Sequence, residues 1–242
     1  MYGDDGNARL GVSGMRSSWC GRSPHTTPDR MAIAGPGCPT LGEHRLALAG
    51  VAVRVRVCDT DPMAQPPTIH RIQIALTDVD RGVYEQLDLR LARHPSETVR
   101  YMVTRTLAYA LRYTEGIAFS KGGLSSPDEA PVAVRDPTGL LLAWIDVGAP
   151  SAERLHKASK LAREVHVYTA VDEAILRKEL LSRPIHRLAD LCVWQLEPRF
   201  VDAIEAAIGR DTSFALTHTE GQLYATIGAE TVEGRVLRLM LP

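Results

Sequence analysis

Between Ile69 and Leu91 the chain alternates apolar and polar residues in two runs, separated by Asp78-Val79-Asp80-Arg81-Gly82. Alternation with period two suits a half-buried strand, so the pattern predicts a β-hairpin over residues 69–76 and 84–91. The period then lengthens. Val99, Met102, Val103, Leu107, Ala110 and Leu111 share one helical stripe, in a helix opened by Pro95 and Ser96. Past Gly122-Gly123, a strand is expected over about 130–135, then a turn at Asp136-Pro137-Thr138-Gly139. The run 140–147 is so continuously apolar that a strand there must be covered on both faces. Ser151 begins a second helix, with Leu155, Ala158, Leu161 and Ala162 on one side. A strand at 165–169, a helix at 172–182, a buried strand at 191–196 and a helix at 198–208 follow. Two or three strands finish the chain, turning at Glu220-Gly221. Strands alternating with helices predict an α/β fold: a mixed β-sheet flanked by helices, without internal repeats.

The first 62 residues show no such periodicity. They hold about half of the 19 glycines and three of the four cysteines, Cys20, Cys38 and Cys58. Breaker clusters such as Gly35-Pro36-Gly37-Cys38-Pro39 dominate, and only 46–57 is apolar enough for a short element. The apolar content is too small for an independent core, so residues 1–62 read as a poorly ordered extension, or as translated from a start placed too early. No basic stretch followed by an apolar one marks a signal peptide. No two cysteines share the C-x-x-C spacing of a zinc site, and Cys192 falls in a buried-looking strand. Residues 63–242 form the expected domain. No apolar run approaches the roughly 20 residues of a membrane helix, so a soluble, cytoplasmic protein without a membrane partner is expected.

Asp146 interrupts the most apolar run of the chain, Leu140-Leu141-Leu142-Ala143-Trp144-Ile145-Asp146-Val147. A carboxylate there is costly unless paired, hydrogen-bonded or bound to a metal. Asp128 stands eighteen residues earlier, where a Gly/Ser turn enters a strand; a Pro-Asp pair is also common in turns for local reasons. Lysine is rare here: Lys121, Lys157, Lys160 and Lys178 stand against two dozen arginines. On the second helix Lys157 falls at the edge of the apolar stripe and Lys160 on the solvent side, while Arg154 lies near the stripe's centre. Two carboxylates on neighbouring strands and a nearby ammonium are what PD-(D/E)XK nucleases use to hold Mg²⁺ against a scissile phosphate. Gly148 stands where that motif would carry its lysine, and Lys157 is placed to supply the charge from the helix instead. Glu97 opens the first long helix, where the helix dipole alone would favour an acid.

Four stretches in order, 91–98 (Leu-Ala-Arg-His-Pro-Ser-Glu-Thr), 123–129 (Gly-Leu-Ser-Ser-Pro-Asp-Glu), 144–148 (Trp-Ile-Asp-Val-Gly) and 154–158 (Arg-Leu-His-Lys-Ala), resemble the YaeQ family of bacterial proteins. The resemblance spans about residue 63 to the end. It implies a restriction-endonuclease-like, PD-(D/E)XK core with additional strands, in which the motif lysine has moved to the next helix. Glu97 would match the first-helix acid, Asp128 the strand-entry aspartate, Asp146 the acid of the motif strand and Lys157 the moved lysine. Asp146 stands where relatives commonly carry Glu, with a shorter reach.

These residues would hold Mg²⁺ or Mn²⁺ through Asp128, Asp146 and Glu97 and hydrolyse phosphodiester bonds in DNA or RNA. The alternative is a non-catalytic nuclease-fold protein that binds nucleic acid or a protein partner. Net charge is −1 for the chain, and residues 63–242 carry 21 basic and 23 acidic side chains. That balance excludes a protein that coats DNA through a general basic surface.

Overall fold

The computed structural model describes residues 67–120 and 128–241. The expected extension over 1–62 and the turn at Gly122-Gly123 lie outside them. Ten strands, four helices and a short 3-10 turn are described. In chain order they run β1 (Thr68–Asp78), β2 (Val83–Arg93), α1 (Val99–Leu111), β3 (Ile117–Phe119), β4 (Val132–Arg135), β5 (Leu141–Val147), α2 (Ala152–Leu161), β6 (Glu164–Thr169), α3 (Glu173–Leu180), the 3-10 turn Leu188–Asp190, β7 (Cys192–Leu196), α4 (Pro198–Ala207), β8 (Asp211–Thr219), β9 (Gln222–Ile227) and β10 (Glu230–Leu239). All ten strands join one sheet in the order β2-β1-β8-β9-β10-β7-β6-β5-β4-β3.

Two halves meet in β10. Its first part, Glu230 to Arg235, pairs antiparallel with β9, and its last part, Val236 to Leu239, pairs antiparallel with β7. Gly234 sits just before the change of partner, where an added Cβ would fall 2.4 Å from Cβ of Phe200. Any side chain there would push α4 off the sheet. The expected hairpin is β1–β2, and β8 joins β1 in parallel. In the other half β5, β6 and β7 run parallel, with β4 and β3 antiparallel beyond β5. The architecture is therefore the expected mixed α/β sheet with helices. No helix among the described residues is long and apolar enough to cross a membrane.

The alternation of β5 feeds two separate cores. Ala143, Ile145 and Val147 join Met102, Val103 and Leu107 of α1, Phe200 and Ile204 of α4, and the inward residues of β1, β2, β8 and β9. Trp144 points the other way, toward Leu155 and Ala158 of α2, Leu176 and Leu180 of α3, and Val165 and Val167 of β6. Each fully buried Leu or Val contributes about 1.5–3 kcal/mol by leaving water, so β5 is anchored from both sides. Cys192 is only partly buried.

Two local expectations change. The first helix starts later than Pro95: Thr98 is its N-cap, with its hydroxyl accepting from the Tyr101 amide at 3.1 Å. Glu97 thus precedes the helix, and the dipole account of its position does not apply. On α2, Leu161 is 52% exposed, because the helix ends there and leaves the sheet.

Candidate functional site

Asp146 is 2% exposed, and each of its oxygens is used. Oδ2 accepts from Nε of Arg154 at 2.6 Å and from the indole N–H of Trp144 at 3.0 Å; Oδ1 accepts from the amide of Val147 at 3.1 Å. Arg154 reaches it because Ser151 caps α2, its hydroxyl accepting from the Arg154 amide at 3.2 Å and setting the first helical turn against the end of β5. The guanidinium lies over the Trp144 ring, 5.3 Å from its centre, and Nη2 donates to the Glu129 carbonyl at 2.8 Å. The cost of burying a carboxylate in the 140–147 run is thus offset by a paired cation and two further donors.

One turn further along α2, Lys157 forms an ion pair with Oδ1 of Asp128. This pair faces solvent, with side chains 50% and 67% exposed. Arg154 holds the carbonyl of Glu129, the residue next to Asp128, so both expected aspartates and the expected lysine lie along α2. Lys160 is exposed, as the wheel placed it. Gly148, at the position of the missing motif lysine, has φ +80°. A lysine would adopt that left-handed conformation only under strain, and an added Cβ would stand 3.9 Å from the Tyr101 ring. The backbone bend that ends β5 thus favours glycine at this position.

Glu97 occupies a neighbouring layer. It is 1% exposed and paired with Arg105, itself 2% exposed, whose Nη2 is 3.0 Å from Oε1 and 3.3 Å from Oε2. The His94 amide donates to Oε2 at 3.3 Å. Burial pushes the Glu97 carboxyl above its usual range, partly offset by the Arg105 charge. Tyr101, one turn into α1, lies within the fields of Asp146, Arg154, Arg105 and Glu97; burial first, then the Asp146 charge, raises its phenol. Tyr101 therefore stays protonated between the two acid–arginine pairs.

Among the described residues no three His, Cys, Asp or Glu side chains gather as a metal cluster. Asp128 and Asp146 both lie against α2, one paired with Lys157 and the other with Arg154. Mg²⁺ is commonly held by one or two carboxylates with water completing the octahedron. Oδ2 of Asp128 has no partner among the described residues, and Oδ1 of Asp146 accepts only one bond. Glu97, like Asp146, is buried in a pair with an arginine, here Arg105. The roles of Arg154, Tyr101 and Arg105 were not read from the sequence. Only Arg154 gave a signal: a cation near the apolar centre of α2 requires a buried acid.

Comparison with known proteins follows the same span. The family model described as YaeQ protein matches residues 63–236. The Escherichia coli protein described as uncharacterized protein YaeQ is 31% identical over 174 residues, 71% of this chain and 94% of its own. Its Salmonella typhi counterpart is 30% identical over the same shares. Two crystal structures of YaeQ proteins superpose on the fold: that from Pseudomonas syringae with TM-score 0.68 at 30% identity, over 74% of this chain and 99% of its own, and that from Xanthomonas axonopodis pv. citri with TM-score 0.66 at 30% identity, over 73% and 99%. The chain belongs to the YaeQ family.

Proposed function

We propose that this chain is a PD-(D/E)XK-type, metal-dependent phosphodiesterase acting on DNA or RNA, with Asp128 and Asp146 as ligands of Mg²⁺ or Mn²⁺. The observation that carries this reading is the gathering of Asp128, Asp146 and Lys157 along α2, at the end of a strand buried on both faces. A divalent ion held there would supply an activated water and offset charge on the phosphate. Lys157, a mobile point charge at the solvent edge, orients that water or neutralises the equatorial oxygens. Arg154 fixes the Asp146 carboxylate, and Trp144 prevents its rotation. Protonated Tyr101 and the Glu97–Arg105 pair back the site and keep it rigid. Substrate contact is local, because the domain lacks a basic excess.

A second reading has its own observation. Arg154 already occupies Oδ2 of Asp146, and a fixed guanidinium in place of a metal ion would give a non-catalytic nuclease-fold protein that binds nucleic acid or a protein partner. Cleavage of labelled single- and double-stranded DNA and RNA with Mn²⁺ decides between them. Wild type is expected to cut at least one substrate, and Asp128→Asn, an exposed change that spares the fold, is expected to lose about 10²-fold or more. No cutting by wild type, or equal cutting by Asp128→Asn, overturns the catalytic reading.

A further inference from the structure

A second concavity lies at the opposite end of β5. It encloses about 330 Å³ and is walled by Arg81, Arg112, Arg163, Glu115, Glu164 and His166. Its floor is apolar: Val134, Leu142, Ala143 and Ile145. Ala143 and Ile145 project from one face of β5 and Trp144 and Asp146 from the other, so this pocket opens on the face away from the Asp146 side chain.

Its charges are not matched as those of the aspartate site are. Arg81 is structural, with Nε on Asp78 at 2.7 Å and Nη1 on the Tyr113 carbonyl at 3.2 Å. Arg112 stacks 5.6 Å from the Trp194 ring centre, and its Nη2 lies 2.6 Å from the His166 ring nitrogens. Nε of Arg112 is buried and has no hydrogen-bond partner. Arg163, just past the end of α2, has no hydrogen-bond or ion-pair partner among the described residues. The acids do not quench these groups: Glu115 is exposed and forms no ion pair among the described residues, and Glu164 touches His166 at 3.2 Å with its own side chain 64% exposed, where water and salt screen it. His166 is 3% exposed and is held neutral, its pKa pushed down to about 4 by burial and then by the Arg112 charge. A neutral ring that donates from Nε2 to Glu164 leaves Nδ1 to accept from Arg112, which fixes the guanidinium. Arg112 and Arg163 line the cavity, and guanidinium N–H groups beside an apolar floor are donors for an oxyanion.

We propose that this cavity binds a small oxyanion carried on an apolar body, a carboxylate or phosphomonoester on a single ring, with Arg112 and Arg163 as its anion contacts. The volume sits at the small end of ligand pockets, which suits one ring and excludes a polymer. Arg112 supplies the inner, preoriented contact and Arg163 closes from the rim.

Calorimetric titration of the full chain with phenyl phosphate, benzoate and phenol tests this. At least one anion is expected to bind with a millimolar or tighter Kd, the stronger of the two identifying the headgroup, while phenol gives no heat. Arg163→Ala lies on the surface and leaves the fold intact; it is expected to weaken binding by about tenfold, and Arg112→Gln by more, the loss of a hydrogen bond to a charged group. Quenching of Trp194 fluorescence on anion addition should follow the same order of variants. No heat from either anion up to ~10 mM, equal heat from phenol, or equal affinity in wild type and Arg163→Ala overturns the proposal.

Discussion

The two ends of β5 treat charge in opposite ways. Where the strand ends, three acids meet three cations: Asp146 with Arg154, Asp128 with Lys157, Glu97 with Arg105. Where it begins, the Nε of Arg112 is buried without a partner, Arg163 has none among the described residues, and His166 on β6 stays uncharged. A site balanced by its own side chains is preorganised, and an incoming cation must compete with Arg154. A site with unspent donors waits for a ligand of the opposite sign. The aspartate end should therefore show large structural effects on mutation and modest metal affinity, and the other end the reverse.

The largest effect should come from breaking the buried pair. Arg154→Ala leaves Asp146 with its amide and indole donors but no counter-charge, in a pocket where the carboxylate is 3% exposed. Unfolding free energy from urea titration is expected to fall by about 3 kcal/mol, as for other buried pairs with one partner removed. The Arg154→Ala, Asp146→Ala double variant should lose less than the sum of the two single changes. Mg²⁺ should then stabilise Arg154→Ala more than wild type, because the ion replaces the missing cation. Additive losses would mean the pair is not coupled, and an equal Mg²⁺ shift would mean the ion does not reach Asp146.

That pair also marks how far the sequence could be read. Hydrophobic periodicity located every helix of the described domain and most of the strands, because β5 and α1 are buried enough to write their environment into residue type. The three-residue β3 carried too few positions for any period, and the partner change in β10 depends on Phe200 packing on Gly234, a contact between distant segments. At the site, Asp146 stood out because charge inside an apolar run is conspicuous, and Lys157 because lysine is scarce. Tyr101 and Arg105 lie in a helix buried on nearly every side. Their approach to Asp146 and Glu97 is a tertiary fact that no local pattern encodes. The PD-(D/E)XK assignment itself rests on resemblance and on the gathering at α2.

An intermediate effect is expected from His166. Its folded pKa, about 4, lies below the ordinary 6.5, so the unfolded chain takes up the proton first as pH falls. The neutral ring's contribution is complete above 6.5 and declines as pH drops toward 4. Between pH 7 and pH 5, wild type should lose about 2 kcal/mol more stability than His166→Gln, since 1.5 pH units below 6.5 correspond to about that much. Paired urea titrations at the two pH values measure it, with the raised carboxyl of Glu97 common to both proteins. The same loss in both would place the proton uptake elsewhere.

The smallest structural effect, joined to a large kinetic one, should mark Lys157. Its pair with Asp128 has half-exposed partners, and exposed ion pairs contribute about 0.2–1 kcal/mol. Lys157→Ala should thus shift the urea midpoint little. If the site cuts phosphodiesters, the same change should lower the rate by about 10²-fold, as removal of one preorganised charge does. Lys157→Arg should restore only part of that, because a planar fork cannot place a point charge at the same reach. Lys160→Ala, one turn nearer the end of α2 and in solvent, should leave the rate within about threefold, below the effect of any group that touches the transition state. A rate loss that matched a stability loss would make Lys157 a structural residue. Equal rates in the Lys157 and Lys160 variants would remove it from the chemistry and leave the gathering at α2 as architecture alone.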